Sequence, residues 1–309
     1  MRLALYRYCL PLARPLVLRG RRLDERAGLL LQLGSGWGEV APLPGFSRES
    51  LDEAQAEASH CLGILAAGGV PAPRLPSVCF GLACARRAWP ERPPPLPAPY
   101  PLLPDDPEAR AVVTANWRER TPAVAKLKVA RGPLAEELAQ IRRLCRDFPA
   151  LQLVLDANRG WTRAQALAFG RSLDPARILY LEDPCETVAD MALVAARTGL
   201  AVALDEPLAR GDAWHPFAGL AALVLKPTLL GGPDRCARLV GRARRHGLRV
   251  IVSSSFESGL GLAQLAGLAA EWAPGQAPGL DTAGWLAADV LGADGRPDPA
   301  RLECLHEAR

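Results

Sequence analysis

The sequence predicts an α/β protein in which a (β/α) barrel follows an N-terminal α+β segment, and three observations carry that expectation. From about residue 112 short apolar runs alternate with amphipathic stretches of helical length, the pattern of βα units around a parallel sheet. Charged or polar residues recur near the ends of those runs, at Lys128, Asp156, Glu182, Asp205, Lys226 and Ser254, spaced by 28, 26, 23, 21 and 28 residues. The 309 residues, 49% hydrophobic and 23% charged, suffice for a large core and exclude a disordered or collagen-like chain.

Taken in order, residues 1 to about 90 read as strands and then helices. LALYRYCLPL is a strand, GLLLQL and WGEVAPL follow it, a helix runs from Ser50 to about Ala67, and another lies near VCFGLACARRAW. Pro90 to Pro107 carries nine prolines, too many for a helix or a central strand, and places a domain boundary at about 95/96. Beyond it the strand candidates are AVAKLKVA, LQLVLDAN, ILYLEDP, AVALDEPL, ALVLKP, RVIVSSSF and the short GLDT. LAEELAQIRRLCRD, RAQALAFGRSL, DRCARLVGRARRH and LGLAQLAGLAAEW are the helices among them. A barrel builds its site from the C-terminal ends of its strands, whereas a doubly wound open sheet, the alternative, gathers ligands at one switch point. Polar residues along five consecutive strands favour the barrel.

Composition excludes several partners. A net charge of +4 with scattered basic residues and 6% aromatics argues against nucleic acid. The N-terminus is interrupted by Arg2, Arg7 and Arg14, and no apolar run approaches about 18 residues, so neither a signal peptide nor a membrane span is expected. Eight cysteines form no Cys-x-x-Cys pair and the four histidines do not cluster with them, so zinc spacing is absent and a reduced cytoplasmic protein is expected. Gly34-Ser35-Gly36-Trp37-Gly38 lacks the dinucleotide-loop spacing and reads as a turn. The oligomeric state is left open, with a monomer compatible.

Of 37 basic residues only Lys126, Lys128 and Lys226 are lysine. In a chain so rich in arginine, lysines stand out where a proton has to be lost, because guanidinium stays charged. Strand alternation puts Lys126 and Lys128 on one face, and two close ammonium groups are expected to lower the pKa of one of them. The bland alternative is a solvated pair on an edge strand. Asp156, Glu182 and Asp205 end three successive strands, where their mutual repulsion calls for a hard divalent cation such as Mg2+. Alternation with Tyr180 and Ala203 favours Glu182 over Asp183 and Asp205 over Glu206 unless a bulge intervenes. Each carboxylate taken alone also reads as a helix cap or salt bridge. Lys226 ends the next strand, where barrel order sets it across the mouth from Lys128, or it forms a structural ion pair. Two lysines around metal-binding carboxylates suit removal of a proton beside a substrate carboxylate, with an enediolate stabilised by cations.

These residues resemble a known family. Lys126-x-Lys128, LDANRGW, LEDP, LDEP and LKPT are similar to the motifs of the enolase superfamily in its muconate lactonizing branch. WGEVAPLPGFS, PSVCFGLACA, IVSSSFESGLGLAQLA and PGLDT resemble, within it, the o-succinylbenzoate synthase family of menaquinone biosynthesis. The resemblance implies a modified (β/α)7β TIM-type barrel, residues 96–285, and an N-terminal α+β capping domain, residues 1–95, to which the tail 286–309 returns. It further implies Mg2+ on Asp156, Glu182 and Asp205, Lys128 as acid/base, and Lys226 as the cation facing the enediolate, with Lys126 beside them. Ser253, Ser254 and Gly279 would line the succinyl side of a small carboxylate substrate, and the Pro42–Ser47 loop would close over it. The implied reaction is syn dehydration of 2-succinyl-6-hydroxy-2,4-cyclohexadiene-1-carboxylate. Racemases of N-acylated amino acids and dipeptide epimerases share the lysines and remain the alternative; a silent scaffold barrel would have to lose a catalytic position, and all five are present.

Overall fold

A computed structural model of the chain describes residues 2–18, 20–90, 95–118 and 121–308. Residues 91–94 of the proline-rich stretch, beside the expected boundary at 95/96, lie outside the described residues. In chain order the elements are β1 (Leu3–Leu18), β2 (Arg21–Leu33), β3 (Gly36–Val40), α1 (Leu51–Ala66), α2 (Pro76–Arg86), β4 (Leu102–Leu103), α3 (Pro107–Ala115), β5 (Val124–Lys128) and α4 (Leu134–Asp147). There follow β6 (Gln152–Asp156), α5 (Arg163–Gly170), β7 (Ile178–Glu182), α6 (Val188–Thr198), β8 (Val202–Leu204), α7 (Glu206–Arg210) and β9 (Leu220–Leu225). The last elements are α8 (Pro227–Leu230), α9 (Pro233–Arg245), β10 (Arg249–Val252), α10 (Gly259–Trp272) and β11 (Glu303–Ala308). The fold is α/β, a modified TIM-type barrel with an N-terminal α+β region. The chain divides into two compact units, one of Met1–Pro97, Leu225–Gly241 and Val252–Arg309, the other of Ala98–Val224 and Arg242–Ile251.

The first unit is built on an antiparallel sheet of order β11-β1-β2-β3. Its strands bury both faces, as their alternation requires. Leu3, Leu5, Leu29, Leu31 and Leu33 pack with Ala54, Cys61, Leu62, Val78 and Leu82 of the two helices, while Ala4, Tyr6, Tyr8, Leu10 and Leu30 pack with Val290 and the tail residues Leu286 and Leu302. β1 is longer than its apolar run predicts. Its pairing with β2 shifts register between Pro11 and Leu16, and the irregularity accommodates prolines that cannot donate to a regular ladder. Gly34 turns β2 into β3 in the left-handed region, so the glycine cluster is the hairpin turn its spacing suggests. β3 and α2 meet backbone to backbone: a Cβ on Gly38 would lie 1.8 Å from the Gly81 carbonyl oxygen, so no side chain fits there. Ser50 and Glu53 form a capping box that starts α1 where the sequence places it. α10 turns Gly261, Gln264, Leu265, Leu268, Ala269 and Trp272 inward at helical spacing.

The second unit carries the barrel wall. Strand order is sequential, β10-β9-β8-β7-β6-β5-β4, and every pair from β4 to β9 is parallel. Val154, Tyr180, Ala203, Ala222, Val224 and Ile251 form one buried cluster, the inward-facing layer beneath the strand ends. α4 alternates Leu138, Ile141 and Leu144 inward with arginines outward, and its span is the one its periodicity predicts. Two elements had no clear signal. β4 is a two-residue edge strand inside the proline-rich stretch, where the missing donors of its neighbours matter least, and α3 starts at Pro107 behind the Asp106 cap. The expected strand at GLDT is instead a single bridge from Ser253 to Gly279.

Candidate active site

Register decides which side chains meet. Lys128 lies beside Asp156, and Asp156 beside Glu182, in one row across β5, β6 and β7. Lys126 belongs to the row below, with Val154 and Tyr180. Its side chain climbs to bridge the upper row, with Nζ 2.8 Å from an oxygen of Asp156 and 2.8 Å from Glu182 Oε2. Lys128 Nζ donates to Asp156 Oδ2 at 2.7 Å and to Asn158 Oδ1 at 2.7 Å.

β8 stops at Leu204, short of the strand expected over AVALDEPL, and Asp205 is the residue from which α7 starts. Asp156, Glu182 and Asp205 are 1%, 2% and 3% exposed, and a buried carboxylate needs a nearby cation. Their donors are all oxygen, the chemistry of a hard divalent ion, so the residues fit Mg2+. Among the described residues no three His, Cys, Asp or Glu side chains close on one point as a ligand cage. The Lys126 ammonium lies between two of the three carboxylates.

The pairing is expected to lower the pKa of one of the two lysines, and Lys126 is not that one: it is held well above the ordinary lysine range. Burial works against its charge and is outweighed by Asp156 and Glu182. Asp156 is held well below the carboxylate range because Lys126 and Lys128 overcome the burial that would raise it.

The neighbouring acids point elsewhere. Asp183 accepts from the backbone N–H groups of Asp205, at 3.1 Å, and Glu206, at 2.7 Å, and so pins the turn that carries Asp205. Burial, followed by the Asp205 charge, pushes the Asp183 carboxyl well up. Glu206 pairs with Arg159, whose Nε lies 2.6 Å away, and Arg159 also reaches Glu186. The alternation therefore sets Glu182 against lysine and Asp183 against backbone.

Sequence reasoning passed over Asn158 and Arg159 and weighed Asp183 only as the weaker choice beside Glu182. Their signal is conformational: all three hold positive φ, 43°, 61° and 43°, immediately after β6 and β7. Asparagine and aspartate are the non-glycine residues most at ease there, and such backbone costs on the order of 1–3 kcal/mol each where it is strained.

The remaining candidates lie in the first unit. Lys226 follows β9 and its carbonyl accepts from Leu229 and Leu230, both at 2.9 Å, as α8 begins. Ser253 Oγ and Ser254 Oγ both donate to the Gly279 carbonyl, at 3.2 and 3.3 Å, so the three residues predicted together are together. The Pro42–Ser47 loop is a tight turn, in which Ser47 Oγ accepts from the Leu43 N–H at 2.8 Å.

A barrel with lysines and buried carboxylates rowed at its strand ends defines the class: an enolase-type enzyme working by proton transfer beside a carboxylate. Residues 1–89 match the family model of the MenC N-terminal domain, and residues 108–296 match that of the enolase C-terminal domain-like family. Over 304 residues the chain is 44% identical to the o-succinylbenzoate synthase of Yersinia pseudotuberculosis, covering 93% of this chain and 92% of that one. Its likeness to the Yersinia pestis o-succinylbenzoate synthase is the same, 44% over 304 residues with 93% and 92% covered. The crystal structure of o-succinylbenzoate synthase from Thermosynechococcus elongatus BP-1, complexed with Mg in its active site, superposes with a TM-score of 0.70 at 26% identity, covering 90% of this chain and 92% of that one. The L-Ala-D/L-Glu epimerase of Bacillus subtilis has a TM-score of 0.75 at 19% identity over 100% and 99%, a likeness of fold alone. The chain belongs to the o-succinylbenzoate synthase family of the enolase superfamily.

Proposed function

We propose that this chain is a Mg2+-dependent lyase that dehydrates 2-succinyl-6-hydroxy-2,4-cyclohexadiene-1-carboxylate to 2-succinylbenzoate, with Lys128 as its acid/base. The observation that carries the reading is the row Lys128, Asp156, Glu182, held by strand register in a chain of this family. Asp156, Glu182 and Asp205 would hold Mg2+, which would supply positive charge beside the substrate carboxylate, where negative charge builds as the proton leaves.

Lys126 stays charged and balances Asp156 and Glu182. Lys128 is, as the family resemblance implies, the lysine whose proton moves. As an amine it takes the proton next to the substrate carboxylate. As an ammonium it returns a proton, on the same face, to the departing hydroxide, which leaves as water while the ring becomes aromatic. Lys226 stabilises the enediolate as a cation and need not titrate. Ser253, Ser254 and Gly279 line the succinyl side.

Residues 96–285 form the catalytic domain in this reading, and residues 1–95 form the other, joined by the tail 286–309. The antiparallel pairing of β11 with β1 supports the latter. A reducing cytoplasmic setting suits the eight cysteines, all of them free, and among the described residues no helix is long and apolar enough to cross a membrane. The test is direct. Supplying the cyclohexadiene substrate with Mg2+ is expected to yield the aromatic product, read by its ultraviolet absorbance, far faster than an N-succinylamino acid racemises. Racemisation without dehydration would overturn the assignment.

A further inference from the structure

The buried Arg26 guanidinium lies outside the chemistry above. It is 2% exposed, on β2. Its Nε donates to the Phe256 carbonyl at 3.0 Å, its Nη1 to Ala27 and Pro42 at 2.8 and 2.9 Å, and its Nη2 to Ala41 and Ser255 at 2.6 and 3.4 Å. One planar fork thus joins three stretches of backbone: its own strand, the start of the loop after β3, and the segment after β10. Hydration lost by a buried guanidinium is replaced here by carbonyl oxygens that must stay in place to satisfy it.

The segment after β10 is where such support is needed. Phe256 has φ of 60°, a conformation that a bulky side chain rarely adopts and that persists only when its surroundings enforce it. The enforcement is visible on every side. Its carbonyl meets Arg26, its ring packs edge-on against Trp285 with centroids 5.7 Å apart, and the Glu257 carboxylate accepts from the Ser255 N–H and the Thr228 hydroxyl. Ser253 and Ser254, tied to Gly279, lie three and two residues before Phe256.

We propose that Arg26 is a positioning residue for substrate binding, fixing the Ala41–Pro42 and Ser255–Phe256 backbones as one piece and thereby setting the pose of Ser253 and Ser254. The inference rests on the assignment of those serines to the succinyl side. Lysine cannot replace the fork, because one ammonium has three donors and no fixed plane.

The experiment uses the full chain with Mg2+ and the variants Arg26→Lys and Arg26→Met. Amide hydrogen exchange, with no substrate present, is expected to show residues 41–47 and 253–258 losing protection together, by about tenfold or more, while β6 and β7 keep theirs. With the cyclohexadiene substrate, KM is expected to rise about tenfold in Arg26→Lys while kcat changes far less. Unchanged protection in either segment overturns the coupling. Lost protection with unchanged KM overturns the positioning role and leaves a structural one. If Arg26→Met fails to fold, Arg26→Lys decides. A wild-type chain that does not turn the substrate over would sink the functional reading and the substrate part of this proposal with it, while the exchange data still decide whether Arg26 couples the two segments.

Discussion

Lys126 and Lys128, two residues apart on one strand face, converge on a single oxygen: Oδ2 of Asp156 lies 2.8 Å from the first ammonium and 2.7 Å from the second. The two differ in their other partner. Lys126 turns to the Glu182 carboxylate and Lys128 to the neutral Asn158 amide oxygen. The second carboxylate helps hold Lys126 well above the ordinary lysine range, against the burial that works the other way.

The lysines can be told apart by arginine. Lys128→Arg is expected to lower kcat by on the order of 10²-fold or more, because guanidinium cannot give up a proton near neutral pH. Lys226→Arg keeps the cation and is expected to retain measurable activity. Metal binding is checked in both variants by calorimetry. Equal, mild losses at the two positions would show that neither lysine carries the proton.

Removing the divalent ion is expected to abolish turnover, with Mg2+ restoring it after dialysis. Asp156→Ala, Glu182→Ala and Asp205→Ala are each expected to be inactive, since each deletes an anionic oxygen ligand. Asp156→Ala also leaves two ammonium groups without the carboxylate they share. Full activity in excess chelator would remove the metal from the mechanism.

Glu257 supplies a pH signature away from the lysines. Burial first, and the Glu39 charge as well, raise its pKa above the unfolded value of about 4.3. Between those two values the native state holds a proton that the unfolded chain has lost, so Glu257's contribution to stability falls as pH rises through that window. Glu257→Gln, which can still accept from the Ser255 N–H, is expected to remove this slope. Urea titrations of both proteins from about pH 4 upward test it, and parallel curves would mean that Glu257 is charged throughout.

Glu39 binds β3 to the start of α10. Its buried carboxylate accepts from the Ser258 N–H at 2.9 Å, the Ser258 hydroxyl at 2.6 Å, the Gly261 N–H at 2.8 Å and the Tyr8 hydroxyl. Glu39→Ala leaves those donors buried and unpaired and is expected to cost about 3 kcal/mol or more in denaturant unfolding. A loss below about 1 kcal/mol would mean that the donors find other partners.

The Pro42–Ser47 loop is expected to govern substrate choice more than chemistry. Ser47→Ala deletes the acceptor of the Leu43 N–H and loosens the turn. Its effect is expected on KM and on the preference among substrates, with the Mg2+ dependence of the rate unchanged. A shifted metal requirement would place the loop nearer the chemistry than this.

The barrel was legible because its signals are local. Short apolar runs such as LVLD and the periodic LAEELAQIRRLCRD each state their own conformation, and the polar residue closing a strand run marks its end. What escaped was structure that depends on a partner. β4 is too short to show a period and exists by pairing with β5, while β11 exists by pairing with β1. β1 runs past Leu12, where the expected strand ends, and crosses Pro15, because the register shift that absorbs it belongs to the pair of strands.

For the site, residue identity and alternation put Lys128, Asp156, Glu182, Asp205 and Lys226 near the strand ends and Lys126 on the face of Lys128, since side-chain direction along a strand follows from covalent geometry. Tertiary structure decided how they are partnered. Whether a lysine beside another lysine is pushed down or held up in pKa depends on carboxylates that arrive from other strands, and their distances are set by register. The same holds for Arg26 and Glu39: Arg26 meets Phe256 across 230 positions and Glu39 meets Ser258 across 219, and no local pattern encodes a hydrogen bond between residues so distant in the chain.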